Sequence, residues 1–442
     1  MNLNIGMGET GELYEENEFV AVIRHQINRK HVFYQQCCDV AHLVKNLYNY
    51  TLYPYRQYQF QKEGYETHLS EYDFKKLLTK EKQVDWCALP NKVSKMTVKR
   101  CYNDQKSYEK ARRDYYNHPE KYKSEPKMPY YLKKDGYSVV EYYKEALLKK
   151  EFKDGILGLS GTSIKITVKD ISWEDIIGAR IVPRNGFFII EIIYKRTKVV
   201  KKEKEVPVIF AGIDVGVNNL VAFSIYNSIQ KESINYIVNG RPLKSINQYR
   251  NKNRSKIQEE LWLKQKARTS KRLEDLERKR INRIGDYLYK TARRITDEMV
   301  FECVDVLYVG HNNGWKQDVN LGDITNQNFV LIPFNRFIEI LKNNCAEAGI
   351  KVVVTTEEYT SKSSFIHNEP FHKYNFIGKR NPRGLLKTPN GNVNSDVNGA
   401  LNMIRKNVNI FDGIGIEERK KLVSDPFVMD IERKKQIHSL KQ

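Results

Sequence analysis

The sequence predicts an α/β fold joined to smaller β and helical parts, on three observations. From residue 208 onward, short β-branched apolar runs alternate with stretches of helical periodicity. Residues 18–30 and 155–200 carry strand patterns without helices between them. Between those two, residues 35–150 show helical spacing among many basic side chains. At 442 residues the chain has room for roughly three domains of ~150 residues, with ample core.

The elements follow in order. FVAVIRHQINRKH, 18–30, reads as a short strand. Residues 35–60 read as a helix with Val40, Leu43, Val44, Leu47 and Tyr48 on one face. A second helix runs from about Lys92 to Tyr116, carrying Val93, Met96, Val98 and Tyr102. HPEKYKSEPKMPYYLKKDGY, 118–137, is a Pro- and Lys-rich loop. GLSGTSIKITVKD and GFFIIEIIYKRT are strands that can pair with the first one, and 195–207 is a basic linker. PVIFAGIDVGV, NLVAFSIYN and SINYIVNG then give three successive strands. A long helix over 246–300 follows, then strand VDVLYVG, helix 328–348, strand IKVVVTTE and a helix opening at 395. This is the order of a ribonuclease H-like fold, although other α/β folds come close. The charged tail, 407–442, has no clear assignment.

Lys and Arg number 75 against 54 Asp and Glu, a formal net charge of +21. The excess is spread along the chain and predicts a polyanionic partner, nucleic acid before an anionic membrane surface. The 28 tyrosines, many beside Lys or Arg, suit stacking on bases. Residues 249–283 hold 13 Lys/Arg and 5 Asp/Glu, a net of +8. Ion pairs along a solvated helix, such as Glu260–Lys264 and Glu274–Arg278, account for part of this pattern.

No apolar run approaches the ~18 residues of a membrane span, and the polar, acidic N-terminus lacks a signal-peptide pattern. The six cysteines form no CxxC pair, which excludes a zinc ribbon or disulfide framework. The expectation is a reduced protein of the cytoplasm, without membrane contact.

Three carboxylates stand out. Asp214 ends a buried strand between Gly212 and Gly216, where a metal ligand and a turn residue are equally plausible readings. Asp396 opens a helix, where an ordinary N-cap is the simpler reading of that residue alone. Glu357 ends the strand IKVVVTTE, where a carboxylate is ordinarily solvated. As a set, three acids from three elements can hold two Mg²⁺ ions ~4 Å apart for in-line attack on a phosphodiester.

GIDVGVNNLVAFS, YTSKSSF and SDVNGALNMIRK, in this order and spacing, resemble the TnpB family. That family comprises transposon-encoded, RNA-guided DNA nucleases, the relatives of compact type V CRISPR effectors. KNLYNYTLYPYRQ, LPNKVSKMTVKRCYNDQKSY, HPEKYKSEPKMPYY, VNGRPLKSINQYRNK and VGHNNGWKQDVNLGDITNQNFVLIPF extend the similarity over about residues 18–406. The resemblance implies a RuvC-like nuclease domain and an N-terminal, barrel-like wedge β-domain interrupted by a helical recognition domain. The implied divisions are 1–34 (tail and first wedge strand), 35–150 (recognition helices), 151–207 (rest of the wedge and linker) and 208–358 (nuclease). Next come 359–394 (target-nucleic-acid-binding loop), 395–406 (last nuclease helix) and 407–442 (tail).

Asp214 matches the family's first catalytic Asp and Asp396 its last. Its usual middle Glu stands at the end of the strand VDVLYVG, where this sequence has Gly310. Some members carry the Glu just before the YTSK segment. Glu357 fits that position. Glu358, one residue on, would point to the opposite side of an extended chain and is the reserve. Many members also carry two cysteine pairs after YTS. Here that span has none, and His367 with His372 cannot complete a four-ligand site, so no zinc is expected.

The resemblance implies a Mg²⁺-dependent endonuclease with a guide RNA and target double-stranded DNA as partners, one chain per RNA, acting at the prokaryotic nucleoid. Arg56, Gln57, Lys92, Lys95, Lys99 and Arg100 are the expected RNA or flanking-DNA contacts. Lys379, Arg380 and Arg383 either touch nucleic acid or sit on a solvated loop. A nuclease-dead RNA-guided repressor and a type V effector are the rival readings.

Overall fold

A computed structural model describes residues 6–7, 13–216, 218–311, 332–372, 375–382 and 384–431. The chain divides into two compact units, 18–197 and 1–17 with 198–442.

The elements of the chain's first part are β1 (Gly6–Met7), β2 (Leu13–Asn28), α1 (Tyr34–Gln59), α2 (Glu71–Lys80), α3 (Val84–Ala88) and α4 (Asn91–Asn117). Strands β3 (Val140–Tyr143), β4 (Leu147–Leu148), β5 (Ile156–Leu159), β6 (Lys165–Thr167), β7 (Ile176–Arg184) and β8 (Phe187–Lys201) follow. One sheet runs in the order β1-β2-β8-β7-β3 and a second in the order β4-β5-β6. The first is open, so among the described residues the expected barrel-like closure is not seen. The β7–β8 hairpin turns on Asn185–Gly186, with Arg184 opposite Phe187 and Gly186 at φ +80°. Glycine adopts that positive φ without steric cost.

The predicted helices lie where periodicity put them, but the helical region stops at Asn117 rather than continuing to 150. Val140–Tyr143 instead pairs with β7. The loop before it is latched by helix side chains. Asn49 both donates to Leu132 O and accepts from Leu132 N, at 2.9 and 2.8 Å. Lys45 donates to Lys134 O. Arg56 donates to Pro129 O and stacks by Tyr131, while Arg100 donates to Val139 O and Ser138 Oγ. Both arginines, expected to touch nucleic acid, are thus engaged in holding their own loop. Lys92, Lys95 and Lys99 are exposed along one face of α4, and Gln57 is half-exposed.

The second unit is built on a mixed sheet. Its elements are β9 (Ile209–Val215), β10 (Asn219–Asn227), β11 (Glu232–Asn239), α5 (Arg241–Gln265), α6 (Lys271–Phe301), β12 (Val306–Gly310), α7 (Phe334–Glu347) and β13 (Lys351–Thr355). Then come β14 (Lys379–Arg380), β15 (Leu385–Thr388), β16 (Gly391–Asn394), α8 (Ser395–Asn407), α9 (Ile416–Leu422) and β17 (Phe427–Met429). The six-stranded order is β13-β12-β9-β10-β11-β17. β9, β10 and β11 are antiparallel neighbours, whereas β12 runs parallel to β9 and β13 parallel to β12.

The single helix expected over 246–300 is two. The chain turns back after Lys266, at φ +50°, and Ser270 caps α6 by accepting from Leu273 N. Arg250 pairs with Glu277, and Arg280 donates to Asn247 Oδ1, which zips the hairpin. The unassigned tail also has a place. β17 pairs parallel with β11, and Asn235 and Ser233 donate to Leu422 O. No helix among the described residues is long and apolar enough to cross a membrane.

Alternation along β9 divides its two faces. Ala211, Ile213 and Val215 join the core with Leu288, Ile295, Phe337 and Leu341, from α6 and α7. Phe210 turns the other way, into the core with Val397, Leu401 and Ile404 of α8. On that second face α8 lies almost on the backbone. A Cβ at Gly212 would meet Ala400 O at 2.1 Å and Ile404 Cγ1 at 2.9 Å. Gly212→Ala should therefore force α8 off the sheet and cost about 3 kcal/mol, read as a lower denaturant midpoint for this unit. An unchanged midpoint would contradict the packing.

Candidate active site

The sheet sets the first acid. Asp214 is the penultimate residue of β9, paired with Ala222 of β10. The pairing Val309↔Ile213 leaves Asp214 and Gly310 as the next residues on neighbouring strands. The helix sets the third acid. Asn394, not Asp396, is the N-cap of α8, its Oδ1 accepting from Asp396 N and Val397 N. That leaves the Asp396 carboxylate in the first turn for other work. One turn further on, a Cβ at Gly399 would meet Asp214 Oδ2 at 2.5 Å. Only a glycine leaves room there for the carboxylate of β9 under α8.

Strand β13 ends at Thr355, so Glu357 lies two residues past it and not on it. Its side chain folds back over Gly310. A Cβ at position 310 would sit 2.4 Å from Glu357 Cγ and 3.0 Å from Glu357 Oε1. Glu357 therefore fills the volume that a side chain at 310 would need. Its Oε1 is fully buried although the residue as a whole is partly exposed. Glu358 is exposed, and its carbonyl accepts from Lys406.

Burial, and then the nearby charge of Asp214, push the Glu357 carboxyl up to about 8. Two carboxylates that oppose each other's ionisation are a pair that a dication would relieve. Asp214, Glu357 and Asp396 are each partly exposed.

The remaining contacts were not foreseen from the sequence. Ser361 Oγ donates to Asp214 Oδ2 at 3.3 Å. Asn219 Nδ2 donates to Asp396 Oδ2 at 2.8 Å. Arg380 Nη2 donates to Ser395 Oγ at 3.0 Å and lies 3.8 Å from Asp396 Oδ1. Arg380 thus faces an acid of the site, while Lys379 is exposed and Arg383 lies outside the described residues. Asn219 and Ser361 both sit inside the motifs GIDVGVNNLVAFS and YTSKSSF, which was the available signal. Among the described residues no three His, Cys, Asp or Glu side chains cluster tightly enough to form a ready metal cage. Asp396 is engaged by Asn219 and Arg380 instead.

The loop between β13 and β14 is built on hydrogen bonds. Asn398 and Asn402 of α8 both donate to Ser363 O and Thr360 O. Phe365 N donates to Asn398 Oδ1. Buried Glu369 accepts from Ser364 N and Ile377 N, each at 2.7 Å. His367 bridges Ser364 Oγ and Asn390 Oδ1, both at 2.8 Å. These bonds tie the segment carrying Ser361 to the helix carrying Asp396.

The raised Glu357 carboxyl gives a stability prediction for protein held in EDTA. Unfolded, this group ionises near 4.5, and folded it keeps its proton to about 8. Folding takes up a proton across that window, so stability falls as pH rises through it and levels off above. Glu357→Gln lacks this titration. Its melting temperature should gain on wild type between about pH 5 and pH 8, by at most ~1.4 kcal/mol of stability per pH unit. Parallel curves would contradict the placement of the carboxyl.

Two family models match the chain. OrfB_IS605, described as "Probable transposase", matches residues 191–316, and the Cas12f1-like TNB domain matches 334–403. The TnpB-like protein ORF457 of Acidianus two-tailed virus is 33% identical over 102 residues, covering 23% of this chain and 20% of that protein. The match thus spans a fifth of that relative's length. Among solved structures, a Cas12f1–sgRNA–target DNA complex aligns at 18% identity and TM-score 0.39, over 51% of this chain and 44% of that one. A CRISPR–Cas12f ternary complex aligns at 13% identity and TM-score 0.36, over 84% and 81%. The two domain models and the viral relative each match part of the chain, and they agree with the motifs around the three acids in their similarity to TnpB-like proteins.

Proposed function

We propose that this protein is an RNA-guided DNA endonuclease whose ribonuclease H-like, RuvC-type site uses Asp214, Glu357 and Asp396, in a branch whose middle acid has moved off the sheet. The observation that carries the reading is the Glu357 side chain lying in the volume above Gly310. A nuclease-dead repressor gains its support from the glycine at 310, and the carboxylate of Glu357 above that glycine supports the nuclease reading.

The donor set suits Mg²⁺, being all carboxylate oxygen, with each residue partly exposed. Bound there, Mg²⁺ supplies Lewis acidity and a nucleophilic water for phosphodiester hydrolysis. Asp214 is held at a rigid strand end and oriented by Ser361. Glu357 would hold the ion as a carboxylate, once deprotonated, and Asn219 steadies Asp396 by donating to its Oδ2. The exposed Lys92, Lys95 and Lys99 of α4, and the basic α5–α6 hairpin, offer phosphate contacts for a guide RNA and its target. Base pairing would then read the sequence, as in other RNA-guided nucleases.

The test starts from the RNA that co-purifies, sequenced and used to choose a matching duplex. With Mg²⁺ the wild-type complex should cut that DNA. Glu357→Ala should lose more than the ~100-fold that removing an outer-shell partner costs, while Glu358→Ala keeps near wild-type rate. Binding without cutting by wild type would favour the repressor, and protein free of RNA would overturn the proposal. The RNA's source, transposon end or repeat array, separates a TnpB nuclease from a CRISPR effector.

A further inference from the structure

Arg380 brings a fixed positive charge to the acids from a small sheet of its own. β14, β15 and β16 pair antiparallel, and β16 runs directly into the start of α8. Ser395 N donates to Gly384 O at 3.0 Å, which closes the link between that sheet and the helix start. The guanidinium is therefore aimed at the first turn of α8 by the pairing of β14 with β15 and by the junction of β16 with α8. There it donates to Ser395 Oγ and stands 3.8 Å from Asp396 Oδ1, with both charged side chains about three-quarters buried, at 23% and 25% exposure. The other Asp396 oxygen accepts from the neutral Asn219.

Oδ1 also accepts from Ser395 Oγ, at 3.3 Å. Asn219 and Arg380 are not equivalent towards a metal ion. A neutral amide on Oδ2 leaves Oδ1 able to ligate. A guanidinium beside Oδ1 repels any dication approaching it, strongly so in a partly buried setting.

We propose that Arg380 is a built-in competitor for the metal at Asp396: it holds that carboxylate while no ion is bound, and must release it before Asp396 can ligate. This inference rests on the nuclease reading above. Arg380 then sets how much Mg²⁺ the site requires. Released, the guanidinium stays tethered by Ser395 beside the acids, where a backbone phosphate offers it a bidentate partner. Metal uptake and substrate phosphate would in this way favour each other, each removing Arg380 from the other's path.

The test is Mn²⁺ binding to the full chain without nucleic acid, measured by titration calorimetry. Arg380→Gln should bind Mn²⁺ about tenfold more tightly than wild type, while Arg380→Lys, which keeps the charge, stays close to it. Ser395→Ala loosens the tether and also frees Asp396 Oδ1 of the Ser395 hydroxyl, and should tighten binding by a smaller factor. That variant carries the test if Arg380→Gln does not fold. Mn²⁺ binding that both Arg380→Gln and Ser395→Ala leave unchanged or weaken would overturn the proposal, and would reduce Arg380 to a fastener of β14. A wild type that binds no Mn²⁺ and cuts no DNA would overturn the nuclease reading together with this one.

Discussion

The small volume above the end of β12 has room for one side chain, and here residue 357 fills it. Gly310 and Glu357 exclude each other there, since a Cβ at 310 would collide with Glu357 Cγ. The rest of the second unit is arranged around this exchange. β12 and β13 run side by side so that their ends share an edge with Asp214. α8 is pressed onto β9 over Gly212, with Gly399 leaving room for the Asp214 carboxylate. Each close approach depends on a missing side chain, so the site is shaped by glycines as much as by its acids.

The price of gathering acids is visible in Glu357, whose carboxyl is pushed up to about 8 by burial and by Asp214. A protein of net charge +21 has many cations to set against its acids. It places Arg380 at Asp396, on the side away from the neutral Asn219. Between Thr360 and Glu369, where the chain has no helix or strand, hydrogen bonds from the Asn398 and Asn402 amides and to Glu369 fix its course.

Much of this was legible in the sequence, because alternation and periodicity are local properties. All three strands from 208 to 239 and the helix at 395 follow from them. The errors have a common cause, since they involve contacts distant in sequence. The α5–α6 break at Lys266 lies in a basic stretch with no Gly or Pro to mark it. β17 is only three residues long and exists because the edge of β11 accepts it. Composition likewise cannot reveal that Arg56 and Arg100, read as nucleic-acid contacts, also hold carbonyls brought from residues 129 and 139. Asp214 and Asp396 were recognisable from their motifs. That Glu357 overlies Gly310 required the fold, because nothing local relates positions 310 and 357.

The most direct measurement is the exchange of the acid between its two sources, assayed as Mg²⁺-dependent cleavage by the complex with its own RNA. Glu357→Gly removes the carboxylate, and Gly310→Glu alone crowds the site. If the two positions serve one volume, the double variant should cut faster than either single variant, because the acid returns to its place on the strand. A double variant no better than Glu357→Gly alone would contradict the account.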